Sequence, residues 1–193
     1  MAQKRIGVLA LQGDVREHVD VLRKLDCEVV EVKTPAQLAS VQALVIPGGE
    51  STTIFKLAEI FDMLEPLRAA ISAGLPVLGT CAGLILLSKT ILDPASGQES
   101  FGGLDVVVRR NAFGNQNDSF ETELVVTGIG GLVHAAFIRA PIIDAVGEGV
   151  EIISTLPDRR IVGVRQGKAI GISFHPEVVG DSRVHKLLLE LVN

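Results

Sequence analysis

Short continuous apolar runs alternate along this chain with stretches whose apolar residues recur every three or four positions. That alternation is the pattern of strands buried on both faces by crossover helices. The first run predicts a strand over 5–11. Asp14 follows as an N-cap, and Val15, Val19, Leu22 and Leu25 then form a stripe at helical spacing. Residues 28–32 and 43–46 read as the next strands. After Pro47-Gly48-Gly49 the pattern is helical over 51–72, with a break expected before Pro66. Gly74 stops that helix. A short buried strand over 76–79 leads directly to Cys81, and residues 82–90 resume as a helix.

From about residue 101 the pattern changes to strands separated by turns: 104–108, 121–126, 135–138, 150–154, 161–165 and 169–173. These are expected to extend the sheet with mixed or antiparallel pairing. A final helix over 181–192 places Val184, Leu187, Leu188 and Leu191 on one face. There is no internal repeat, low-complexity tract or linker. The expected fold is therefore α/β, one three-layer domain over residues 1–193, with a mixed, mainly parallel sheet flanked by helices.

Composition narrows the chemistry. At 193 residues with 47% hydrophobic and 21% charged positions, the chain can build a real core. A net charge of −5 argues against nucleic acid as a partner, since binders of that class carry a basic face. The chain has no Trp and no Tyr, which removes catalytic tyrosine and makes base-stacking platforms a poor fit. The N-terminal apolar run is too short for a signal peptide, and no stretch reaches the ~18 residues of a membrane span. The expectation is a cytoplasmic protein without membrane contact. Two cysteines, Cys27 and Cys81, are too few for a disulfide scaffold or a Cys-rich zinc site.

Two nucleotide motifs fail. Leu11-Gln12-Gly13-Asp14 has one glycine where a dinucleotide fingerprint needs three. In Gly163-Val164-Arg165-Gln166-Gly167-Lys168-Ala169 the glycines are one position too close for a phosphate loop, and Ala169 lacks the required hydroxyl. His18, His134 and His185 show no ligand spacing and read as surface or packing residues. Cys27, at a helix end before a strand, reads as a small buried apolar residue.

Three segments carry the chemistry. Gly79-Thr80-Cys81-Ala82-Gly83 joins a strand to a helix, as a nucleophile elbow does, with sulfur in place of the usual oxygen. The pentapeptide alone leaves a buried cysteine between glycines as an equal alternative. Phe174-His175-Pro176-Glu177 follows an apolar strand. Pro176 biases His175 to an extended backbone, so His175 and Glu177 can project to one side. A carboxylate so placed would hold the tautomer of a general base and stabilise its imidazolium. Pro47-Gly48-Gly49-Glu50-Ser51 lies where a strand gives way to a helix. The backbone N–H of Gly49 there, with that of Ala82 after the nucleophile, could form an oxyanion hole.

Together Gly-Thr-Cys-Ala-Gly, Pro-Gly-Gly-Glu-Ser and His-Pro-Glu resemble the triad (class I) glutamine amidotransferases, whose fold is flavodoxin-like. Leu9-Ala10-Leu11-Gln12-Gly13, Arg110-Asn111-Ala112-Phe113-Gly114, Asp118-Ser119-Phe120-Glu121 and Phe137-Ile138-Arg139-Ala140-Pro141 narrow the likeness to the glutaminase subunits of pyridoxal 5′-phosphate synthase. The likeness spans essentially the whole chain, and 92–103 is its least informative stretch. It implies hydrolysis of L-glutamine to glutamate and ammonia, with ammonia passed to a separate synthase subunit, and neither metal nor organic cofactor. By motif position it implies Cys81 as nucleophile with His175 and Glu177 as relay. Gly48, Gly49, Glu50, Arg110, Ile138 and Arg139 fall at glutamine-binding positions, with Arg139 also open to a loop-orienting or subunit-contact role. Gln12 lies in a block associated with coupling to the synthase. The competing readings are another glutaminase subunit, such as that of imidazole glycerol phosphate synthase, a regulatory subunit of the same fold, or a cysteine peptidase.

Overall fold

The computed structural model describes residues 3–110, 112 and 119–192. Its main sheet begins with four parallel strands, β1 (Arg5–Leu9), β2 (Glu28–Val32), β3 (Ala43–Ile46) and β4 (Val77–Thr80). They stand in the order β2-β1-β3-β4. The helices between them are α1 (Val15–Lys24), α2 (Pro35–Ala39), α3 (Ser51–Ile60) and α4 (Leu64–Ser72). Beyond β4 come α5 (Ala82–Leu87), β5 (Ser88–Leu92) and β6 (Leu104–Arg109). Then follow β7 (Phe120–Val125), β8 (Leu132–Phe137), β9 (Ile142–Val146), β10 (Glu151–Thr155), β11 (Ile161–Gln166), β12 (Ala169–Ile172) and α6 (Arg183–Glu190). The sheet continues β4-β12-β11-β9-β6-β5, with β10 paired to β11.

Strand β12 runs parallel to β4, so β1, β3, β4 and β12 all end on one side of the molecule. The loops after those ends carry Gln12–Asp14, Pro47–Glu50, Cys81 and His175–Glu177. Topology alone thus collects the candidate residues at the carboxyl edge of the sheet, where open α/β sheets bind ligands.

Alternate strand residues feed two cores. Leu9, Leu44, Ile46 and Val77 pack with Ile54 and Phe55 of α3, Leu67 of α4 and Leu84 of α5. Ile6, Val8, Val45 and Ile172 pack with Val19 and Leu22 of α1, Val184 and Leu188 of α6, and Phe137 of β8. Helices thus cover both faces, and the three-layer expectation holds.

Four details differ from the pattern reading. The helix expected over 51–72 breaks at Asp62 rather than before Pro66. Asp62 adopts φ +54°, its N–H reaches Glu59 O and the Met63 N–H reaches Ala58 O, a Schellman stop with aspartate where glycine is usual. Pro66 sits in the first turn of α4, where an absent N–H leaves no hydrogen bond unmade. The helix expected over 82–90 ends at Leu87. There Ser88 Oγ donates to Ile85 O at 2.7 Å, and 88–92 pair in parallel with β6. Strands β7 and β8, expected to extend the main sheet, instead form their own two-stranded sheet over α6. Two elements escaped the pattern altogether: β9, and α2 with its Thr34–Gln37 capping box.

Candidate active site

Cys81 caps α5 with φ +49° and ψ −101°, a backbone state that side chains avoid at a cost of about 1–3 kcal/mol. The strain is imposed by close packing on both sides of it. A Cβ on Gly83 would lie 2.1 Å from Ile46 O, and one on Gly79 would lie 2.5 Å from the Gly83 carbonyl carbon. The glycines flanking the cysteine are therefore required by helix-to-sheet approach. The Cys81 N–H donates to Ile172 O at 2.8 Å, tying the elbow to β12. Its buried thiol points to Ile138 O, 3.9 Å away.

His175 follows β12, and its N–H donates to Ala136 O at 2.8 Å in an isolated antiparallel bridge. The small β7–β8 sheet thus holds the histidine's backbone in place. His175 Nδ1 lies 2.8 Å from Glu177 Oε1, and both residues are 4% exposed. Burial alone would lower the imidazole pKa. Hydrogen bonding with Asp14, Cys81 and Glu177 outweighs it and holds the ring well above the ordinary histidine range. Burial pushes the Glu177 carboxyl up, opposed by its bond to His175. The expected Cys-His-Glu grouping is therefore assembled.

The 47–50 loop is clamped against it. A Cβ on Gly48 would stand 2.3 Å from His175 Cε1, so only glycine lets the ring sit there. Asp14 N–H donates to Gly48 O at 3.0 Å, and Gln12 Oε1 accepts the Glu50 N–H at 2.9 Å. A Cβ on Gly49, at φ +149°, would stand 2.6 Å from that same Gln12 oxygen. Ala82 is the first residue of α5, so its N–H has no carbonyl partner within the helix.

Glu50 caps α3 by accepting the Thr53 N–H at 2.9 Å, and its other oxygen lies 3.3 Å from Arg110 Nη2. Burial acts to raise the Glu50 carboxyl pKa, but hydrogen bonds from Thr53 and Thr52 bring it below the usual range. Arg110 Nη1 donates to Gln98 Oε1 at 2.7 Å, while Gln98 Nε2 donates to Ser51 Oγ at 2.9 Å. Glu50 and Arg110 are thus brought together. Arg139 is exposed at φ +45°, and among the described residues its side chain has no hydrogen-bonded or ionic partner. Asn111, Phe113, Gly114 and Asp118 of the quoted blocks lie outside the described residues.

Pattern reading missed four participants. Asp14 makes no side-chain cap on α1 and instead places Oδ2 3.4 Å from His175 Nδ1. Gln98 lies in the stretch that offered least information. His18 and His185 are fully buried and bonded to each other, whereas His134 is exposed and pairs with Glu121. Cys27 is buried as expected, and burial raises its thiol pKa. Asp14, His175 and Glu177 could offer a metal three ligand atoms within 4.8 Å of one another. The 2.8 Å Nδ1···Oε1 separation is also that of a hydrogen bond between the two side chains.

Comparison with known proteins adds to this geometry. Residues 8–193 match the model of the SNO glutamine amidotransferase family. The chain is 58% identical over 193 residues to the pyridoxal 5′-phosphate synthase subunit PdxT of Parafrankia sp. (strain EAN1pec), covering 100% of this chain and 95% of that one. It is 57% identical over 188 residues to the protein of the same name from Streptomyces avermitilis, covering 97% and 93%. A solved glutamine amidotransferase superposes with a TM-score of 0.90 at 47% identity, covering 97% of this chain and 98% of that one. PurLQS from Thermotoga maritima, at 16% identity and a TM-score of 0.70 with both chains fully covered, shares the fold. Among the described residues no helix is long and apolar enough to cross a membrane.

Proposed function

The chain belongs to the SNO glutamine amidotransferase family, and from that premise we propose that it hydrolyses L-glutamine and delivers the ammonia to a pyridoxal 5′-phosphate synthase subunit. The observation that carries this reading is the buried His175–Glu177 pair beside a cysteine held at positive φ. A thiolate and an imidazolium stabilise each other there, and Glu177 stabilises the imidazolium in turn.

In this reading Cys81 attacks the side-chain amide carbon. The Gly49 and Ala82 N–H groups stabilise the oxyanion, and loss of one such donor would cost roughly 3–4 kcal/mol of barrier. His175 passes its proton to the departing nitrogen, so ammonia leaves and a γ-glutamyl thioester remains. His175 then takes a proton from water, whose oxygen attacks the thioester. Glutamate departs and the thiol is restored. Gly48, Gly49, Glu50, Arg110, Ile138 and Arg139 bind the glutamine. The charged members complement a zwitterion: a carboxylate for its ammonium and guanidinium for its carboxylate. Gln12, already bonded to the Glu50 N–H, couples the site to the docked synthase. The chain acts as one glutaminase domain over 1–193, in the cytoplasm, where a free thiol stays reduced.

The test is glutamate release from glutamine by wild type and Cys81→Ala, each with and without the pyridoxal 5′-phosphate synthase partner. Wild type is expected to turn over when the partner is present, and the variant never. Silence in every wild-type mixture refutes catalysis, and activity indifferent to the partner refutes the subunit assignment.

A further inference from the structure

Behind Glu177 the structure holds a polar relay that the proposed chemistry does not use. His18 on α1, Thr80 at the end of β4 and His185 on α6 are all 0% exposed. His18 Nε2 lies 3.1 Å from Thr80 Oγ1 and 3.5 Å from Glu177 Oε1. His18 Nδ1 lies 2.8 Å from His185 Nε2. Two buried atoms of the group have no hydrogen-bond partner among the described residues: Glu177 Oε2 and His185 Nδ1.

Burial favours the neutral form of both rings. Burial lowers the His18 pKa well below its ordinary value, reinforced by His185 and His175, and burial lowers that of His185 to about 4 against a small opposing effect of Asp181. Each ring then carries one N–H, and two arrangements satisfy the 2.8 Å contact. If His18 donates from Nδ1, its Nε2 lone pair faces the Glu177 carboxylate, and the His185 proton sits on Nδ1 with no acceptor. If His185 donates from Nε2, the His18 proton sits on Nε2, facing Thr80 and Glu177. The second arrangement leaves only a bare lone pair on His185 unpartnered and turns a donor toward a buried charge.

We propose that His18 is a positioning residue for Glu177, its Nε2 held on Thr80 Oγ1 within 3.5 Å of the carboxylate and its tautomer fixed by His185. The chain His185–His18–Glu177–His175 then sets where the imidazole beside Cys81 points. This rests on the triad reading of Cys81, His175 and Glu177.

The test compares His18→Leu with His18→Gln, whose amide can replace the Nε2 donor, in the full chain with the synthase partner. For His18→Leu, kcat is expected to fall about three- to tenfold, the worth of an ordinary buried polar contact, with KM within about twofold. Gln is expected to restore most of it. In parallel, the ¹⁵N and downfield ¹H signals of His175 Nδ1 should shift in the Leu variant and return in the Gln variant. Equal kcat in both variants, or an unmoved His175 signal in the Leu variant, overturns the proposal. If wild type hydrolyses no glutamine, the glutaminase reading fails, yet the His175 signals still decide the role of His18. Should His18→Leu not fold, His185→Leu is read the same way: the His18 ¹⁵N pattern should lose its Nε2–H preference, and a retained preference overturns the assignment.

Discussion

Asp14 Oδ2 stands 3.4 Å from His175 Nδ1. Glu177 already occupies that nitrogen at 2.8 Å, so one imidazole edge faces two carboxylates. Both favour the protonated ring. His175 therefore binds its proton more tightly folded than unfolded. Its contribution to stability is complete below the unfolded value near 6.5 and is lost as pH rises through the elevated folded value. Asp14→Asn should lower the His175 titration midpoint, as followed by NMR, and narrow that window. The Asp14 side chain is 39% exposed, so solvent screens it and kcat should change by less than about threefold. An unmoved midpoint would show that Glu177 and Cys81 alone set the imidazole.

The strained backbone at Cys81 makes a separable prediction. Cys81→Ala and Cys81→Gly both lose the sulfur and should both be inactive. Alanine keeps the Cβ that φ +49° penalises, whereas glycine removes it. Strain of about 1–3 kcal/mol, less about 0.5–1 kcal/mol for the extra freedom of unfolded glycine, leaves Cys81→Gly more stable by roughly 1 kcal/mol. Urea denaturation of the two variants measures the difference. If alanine is the more stable, the elbow is not a store of strain.

The parts of the site legible in sequence are those whose physics is local. Gly79 and Gly83 bracket Cys81 within five residues, and His175 and Glu177 are two apart. Turn sterics and strand alternation are written directly into such spacings. Local rules favour Asp14 as a helix cap. Only the fold reveals that the loop after β1 faces the end of β12. His18 and His185 are separated by 167 positions, and neither stripe of apolar residues around them signals a buried polar pair. The same holds for the sheet. The parallel core strands were legible as apolar runs. Strand β5 was not, because Leu84–Leu87 prolong a helical pattern up to the point where pairing with β6 takes over.

Gln98, from an uninformative stretch, holds Arg110, the arginine that the proposed reading places against glutamine. Its oxygen accepts from Arg110 and its amide donates to Ser51, at 2.7 and 2.9 Å. Among the described residues, Gln98→Leu would leave Arg110 held by Glu50 alone at 3.3 Å, free to swing away. In steady-state kinetics KM for glutamine should rise about tenfold with kcat within about threefold, the mark of lost uniform binding. Loss of the partner of the buried Ser51 hydroxyl should also lower stability by about 1–3 kcal/mol. A fall in kcat at constant KM would instead remove Arg110 from the ground-state contacts.

The buried histidine pair should make the protein acid-sensitive in a defined window. His18 and His185 are held below their ordinary values by burial, so they stay neutral when folded while the unfolded chain takes up protons. Their contribution to stability is full above about pH 6.5 and is lost as pH falls toward the folded values, about 4 for His185. The slope is at most roughly 1.4 kcal/mol per pH unit for each ring, so His185 alone removes at most roughly 2 kcal/mol between pH 6.5 and 5. Glu177 acts in the opposite direction, because its raised pKa lets the folded state gain as protons become available. That term is common to wild type and His185→Gln, and it cancels in their difference. Chemical denaturation at pH 7.5, 6 and 5 should therefore show wild type losing stability more steeply than His185→Gln, with the two curves converging as pH falls. Parallel curves would mean that the His185 ring takes up protons as readily in the folded as in the unfolded chain, and burial would not be what keeps it neutral.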